Sequence, residues 1–150
     1  MNSAFVAFLH HLAAFTVVGA LAVEVALFRP PLGPEQARRL LRTDQLFGAA
    51  ATAVLIFGLL RVFYFEKGPG YYWHDSFFLL KFTAFILAAL ISIYPTVIFL
   101  SWKRALQAGR APEITGEVTR RVRLCLLLEL AAIVTILLCA AFMARGFGYR

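Results

Sequence analysis

The chain has 150 residues, 61% of them hydrophobic, with a net charge of +7 and a mean hydropathy of +0.78. Soluble domains carry about 45–50% apolar residues, so this composition excludes an ordinary water-soluble fold and points to lipid as the outer solvent. The positive charge lies between the apolar runs, without interleaved aromatic residues, which is the loop bias of membrane proteins and argues against a nucleic-acid partner.

Four apolar stretches cover residues 4–28, 45–65, 76–102 and 124–144. Each is close to the ~20 residues that a helix needs to cross a bilayer core. The expectation is an all-α fold, an integral membrane four-helix bundle forming a single domain over 1–150. The opening MNSAF lacks the basic region of a cleavable signal peptide, so the first span is expected to stay as an anchor.

The first span carries His10, His11 and Glu24. His10 and Glu24 are separated by about 40° around a helix that turns ~100° per residue, so both can face the bundle interior, with His11 flanking. Ala13, Gly19 and Ala20 would let a neighbouring helix approach closely. Residues 29–44 form the first break, because Pro30, Pro31, Gly33 and Pro34 stop a helix. Pro34 followed by Glu35 reads as a new helix start, with residues 35–44 as an interfacial turn and Asp44 at the membrane edge.

The second span places Arg61 near its end, on one face with Gly58, Val54 and Ala51. Residues 66–75 form the second break, with a turn at Gly68-Pro69-Gly70 and interfacial aromatics Tyr71, Tyr72 and Trp73. The third span carries Lys81 in a stripe with Ala84, Ala88 and Ser92, then Pro95, which frees a carbonyl near Ile91 and kinks the helix. The fourth carries Glu129 and two cysteines, Cys125 and Cys139, too far apart on one helix to form a disulfide.

Ten of the fifteen Lys and Arg residues fall in the first and third breaks, against Arg61, Lys67, Arg145 and Arg150 on the other side. The positive-inside rule then places both termini on the non-cytoplasmic side. A multi-pass protein of the bacterial inner (cytoplasmic) membrane is expected. Depth divides the embedded charges. The outer half gathers His10, His11 and His74 with Arg61 and Lys81. The inner half gathers Glu24, Asp44 and Glu129 near Arg42, Arg121 and Arg123, and structural ion pairs of Glu24 and Glu129 with Arg42 and Arg121 are expected. Imidazole is an axial ligand of haem iron, and cations hold propionates by charge-assisted hydrogen bonds. The outer half therefore suits a planar dianionic tetrapyrrole such as a haem or porphyrin, bound without covalent attachment because no C-x-x-C-H motif exists. His10, His11, Arg61, Lys81 and His74 are the candidate cofactor-binding residues, and the residues alone leave His10 and His11 open as the iron ligand.

The segments FLHHLAAFTVVGALAVE and ARRLLRTDQLFG, the run GLLRVFYFEKGPGYYWHDSFFLLKF and the Glu129 helix resemble a small bacterial family of four-helix membrane proteins of unknown function. More distantly, the plan resembles HemJ-type protoporphyrinogen oxidases and the membrane domain of CopD copper-resistance proteins. In that wider group a first-helix His is followed nine residues later by Gly, as His10 is by Gly19. An Arg-rich first loop is matched by Arg38, Arg39 and Arg42, and Trp73, Lys81 and Glu129 have counterparts. Here Trp73 and His74 are adjacent, Lys81 follows His74 by seven residues rather than two, and Leu128 rather than Asn precedes Glu129. The HemJ resemblance implies haem b on the first-helix His, which makes His10 the candidate iron ligand, with Lys81 and Arg61 at the propionates, and an oxidoreductase acting on a porphyrinogen or a quinone. Two other readings stand beside it: a metal or small-solute transporter using the histidine pair, and a structural subunit of a larger membrane complex. Two Met and two Cys residues argue against soft Cu(I) handling. The lipid bilayer is the expected partner, with a homo-oligomer or a membrane redox protein as further candidates.

Overall fold

A computed structural model describes residues 2–65 and 69–148. Helix α1 spans Asn2–Leu27 and α2 spans Pro34–Leu60, continued by a π-helical turn over Arg61–Phe65. A short α3, Pro69–Trp73, precedes α4, Ser76–Ser101; a short α5, Lys103–Gln107, precedes α6, Gly116–Ala144. No strand occurs among the described residues. Four helices are long and apolar enough to cross a membrane, and the fold is an all-α membrane four-helix bundle.

Two hairpins build it. Helix α1 packs along α2 and α4 along α6; α2 meets α4 and α1 meets α6 over shorter stretches. The seam positions recur every three or four residues: Ala37, Leu40, Asp44 and Phe47 on α2, and Val122, Leu126 and Glu129 on α6. That spacing is the one that lets long helices interlock side by side. The outward faces carry exposed Phe15, Leu46, Leu90 and Leu137, which lipid covers at no hydrophobic cost.

The apolar core occupies one half of the bundle. Phe28, Leu32, Leu40, Phe47, Phe99, Trp102 and Leu106 form one buried cluster, with Phe99 tilted against both Phe28 and Trp102 at centroid separations of 5.9 and 4.9 Å. This lower half also holds the connections 28–33 and 102–115. The upper half holds both ends of the described chain and the α2–α4 connection.

Three boundaries depart from the hydropathy reading. Helix α2 starts at Pro34 and is unbroken through Asp44, so residues 35–44 are a full part of the span rather than an interfacial turn. Asp44 is accordingly buried inside the bundle and not at its edge. Helix α6 starts at Gly116, where the side chain of Thr115 accepts a hydrogen bond from Val118 N–H and caps it; an N-terminal cap of this type satisfies a main-chain donor that the helix cannot. Both N-terminal segments are amphipathic, so a hydropathy window passes over them. In the second break Gly68 lies outside the described residues, and Pro69–Trp73 is helical. Helix α4 continues through the buried Pro95.

The upper start of α4 is fixed by Asp75. Its buried Oδ1 accepts hydrogen bonds from Phe77 N–H at 2.9 Å and Phe78 N–H at 3.1 Å. Ser76 N–H donates to the carbonyl of Gly148 at 3.0 Å, which ties the C-terminal segment to the same point. Gly148 has a φ of +106°, and a Cβ there would lie 2.6 Å from Asp75 Oδ1 and from Phe77. Only glycine takes this conformation at low cost.

Candidate functional site

A cleft of about 510 Å³ opens in the upper half, lined by residues of all four spans and by Tyr72 of α3. Four of the expected site residues, His10, His11, Arg61 and Lys81, line this single cleft. Asp75 and Tyr72 also line it, and the rest of its walls are apolar, with Phe78, Phe82 and Phe85 from α4 and Ile136, Ala140 and Met143 from α6. An apolar cleft of several hundred Å³ with a few convergent polar groups is the usual form of a small-molecule site.

The position of His10 follows from its neighbour on α2. Its Nδ1 lies 3.1 Å from the carbonyl oxygen of Val54. A carbonyl only accepts, so Nδ1 carries the proton and, in the neutral ring, Nε2 keeps its lone pair. Gly58, one turn further along α2, makes the approach possible: a Cβ there would stand 3.2 Å from His10 Cε1. Gly58 is thus the close-approach glycine. Gly19 is not, because it is exposed and nothing lies within 4 Å of a Cβ built on it. Ala13 and Ala20, also expected at a close contact, are buried.

His11 sits edge-on to His10, with ring centroids 5.9 Å apart. Its Nδ1 bonds to the carbonyl of Ala7 in its own helix at 2.7 Å, and the residue is exposed. His74 is not part of the cleft lining. It is exposed and donates through Nδ1 to the carbonyl of Gly70 at 2.8 Å, so its closeness in sequence to the mouth does not bring it to the site.

The two cations reach the cleft from different helices. Arg61 begins the π-helical turn; such a turn widens the helix, and such turns recur at functional sites. Nothing in the residue pattern signals it. Lys81 lies one turn into α4, with Nζ 5.5 Å from the centre of the Phe78 ring, a cation–π distance. Both cations and His11 are close enough to the His10 ring to interact with it electrostatically.

The lower half contains a second polar group. Glu24, Asp44 and Glu129 are buried, with 1%, 3% and 1% of their surface exposed. Thr96 Oγ1 donates to Asp44 Oδ1 at 2.7 Å. The ion pairs expected for Glu24 and Glu129 are absent among the described residues. Arg121 pairs with Glu117 one turn away on α6, and Arg42 is exposed on a groove beside Arg38 and Lys103. Arg38 Nη2 donates to the carbonyl of Leu106 at 2.7 Å, at the C-terminal end of α5, where the helix dipole favours a cation.

The family model for predicted membrane proteins designated DUF2214 matches residues 2–148. The chain belongs to that family. Its description, a predicted membrane protein, agrees with the four spans and with the lipid-facing apolar surface. No curated protein and no solved structure matches the chain.

Proposed function

We propose that the upper cleft of this DUF2214 protein binds haem b or a closely related anionic porphyrin, which the His10 imidazole would hold at the iron and Arg61 and Lys81 at the propionates. The observation that carries this reading is the seating of His10. A metal-ligating histidine donates its other ring N–H to a carbonyl or carboxylate, which fixes the ring and its tautomer. His10 makes that bond to Val54, in a space that a Cβ on Gly58 would crowd. His10 is favoured over His11 because His11 is exposed and bonded within its own turn.

The remaining lining fits the same molecule. Phe78, Phe82 and Phe85 supply apolar and aromatic surface for a ring face, while Arg61 and Lys81 supply the only kind of group that holds a carboxylate well in a low-dielectric setting. When bound, haem would supply one-electron chemistry. The chain's own residues would orient the ring, exclude water and neutralise its acidic edge. An oxidoreductase role toward a porphyrinogen or a quinone belongs to the same proposal, and agrees with the distant resemblance to HemJ-type oxidases. The transporter reading is less well supported, since no group of three His, Cys, Asp or Glu residues able to hold a metal ion occurs among the described residues.

The test is an absorption spectrum of the detergent-purified protein expressed with haem supply, before and after dithionite. The expected result is a Soret band that His10→Ala abolishes and His11→Ala retains. A colourless protein, or a band unchanged in His10→Ala, overturns the assignment.

A further inference from the structure

The lower half holds an arrangement that the cleft does not use. Glu24, Asp44 and Glu129 each occupy a seam position of their own helix, facing the interior from α1, α2 and α6. From α4 the groups nearest this layer are Thr96, bonded to Asp44, and the half-buried Tyr94. Cys125 lies one turn below Glu129 on α6. No Lys or Arg is buried among the described residues. Glu24 Oε1 and Glu129 Oε1 are fully buried and have no hydrogen-bond partner there.

Three carboxylates cannot all stay ionised in this setting. An uncompensated charge within the hydrocarbon region is costly and marks a functional group by default, and neighbouring like charges raise the cost further. Something positive must be held. A shared metal ion does not fit, because the acidic groups do not converge into a metal-holding set. A proton needs no such convergence, because it can pass between separated acids through hydroxyl groups or water.

The register of the helices gives the three acids a direction. The Asp44–Thr96 bond sets α2 against α4, and the Phe77–Phe142 stack, with centroids 5.0 Å apart, sets α4 against α6. Counting along the antiparallel pairs at ~1.5 Å per residue puts Glu129 about 9 Å above Asp44. The His10–Val54 bond sets α1 against α2 and puts Glu24 about 6 Å below Asp44. The same count puts His10 about 15 Å above Asp44, so Glu129 stands between the lower pair and the cleft.

We propose that Glu24, Asp44 and Glu129 form a proton relay through the lower half of the bundle, ending at the cleft. At each step an O–H bond breaks on the protonated acid and one forms on the next carboxylate, an intervening hydroxyl or water accepting one proton and giving up another where the two acids are not in contact. One negative charge moves the opposite way, so the layer's total charge is conserved. The relay stands on the lower-half geometry and does not rest on what the cleft binds.

Infrared spectroscopy and vesicle flux test it together on the full chain. Wild-type protein at neutral pH should show the C=O stretch of protonated carboxylic acids, reduced in each of Glu24→Gln, Asp44→Asn and Glu129→Gln. In vesicles with internal pyranine and a valinomycin-imposed potassium potential, wild type should carry protons at least tenfold faster than protein-free vesicles. Glu129→Gln should lose at least tenfold of that rate, and Glu129→Asp should retain more of it than the Gln variant. Glutamine is isosteric with the neutral acid, so the variant keeps the packing; an unchanged circular-dichroism melt would confirm folding separately from the relay. Absence of the acid band, equal flux in wild type and Glu129→Gln, or flux that requires sodium would overturn the proposal.

Discussion

The Nδ1 of His10 lies 3.1 Å from the main-chain oxygen of Val54, and this contact joins the first two spans within the wall of the upper cleft. It depends on the bare backbone of Gly58. Gly58→Val should therefore displace the imidazole. Overpacking of a fitted contact costs about 1–3 kcal/mol, so a lowered melting temperature is expected together with at least tenfold weaker haemin binding in a spectroscopic titration. Gly58→Ala should give a smaller change in the same direction, because the His10 ring needs to shift by only a few tenths of an ångström.

The bond from Thr96 to Asp44 satisfies a carboxyl group that is 3% exposed. Thr96→Val keeps the shape and removes the donor. Leaving a buried acceptor unsatisfied costs about 1–3 kcal/mol, so thermal unfolding in detergent should shift downward by that amount. Thr96→Ser, which restores the hydroxyl, should recover most of it.

Asp75 holds the upper start of α4 through two main-chain N–H groups. Loss of an N-cap side chain costs about 0.5–2 kcal/mol, and Asp75→Ala should fall in that range by the same melting assay. Gly148→Val should release the C-terminal segment from Ser76 and make it cleavable by added protease, since the new side chain would collide with Asp75 and Phe77. Wild type should resist under the same conditions.

Glu117→Ala should leave stability unchanged within about 0.5 kcal/mol. The Arg121–Glu117 pair is solvent-exposed, with 58% and 61% of the two side chains accessible, and such pairs contribute little. A larger loss in the melting assay would mean that Glu117 also supports the start of α6.

The four spans were legible because lipid demands long apolar runs, and the level of the upper charges was legible because depth along a helix is a simple count. His10, Arg61 and Lys81 therefore come together as the residue spacing suggests. Rotation was harder to read. Arg42 and Asp44 are two residues apart, so they point about 200° away from one another: Asp44 enters the seam and Arg42 leaves it. The three-four spacing of Ala37, Leu40, Asp44 and Phe47 carried that information. Arg121 pairs with Glu117 and not with an acid of the inner layer for a related reason, since Glu117 lies one turn away on the same exposed face of α6. The contact of His10 with Gly58 needed the relative shift of two helices, which no single helix encodes.

Phe28, Phe99 and Trp102 pack together as a plug in the lower half, which bounds the cleft from below. Anything bound in the cleft would arrive and depart from the face bearing the chain ends, or sideways out of the bilayer. The sidedness of the chain thus decides which compartment can supply it, and labelling a single cysteine placed near either end in intact cells would identify that source before the guest itself is known.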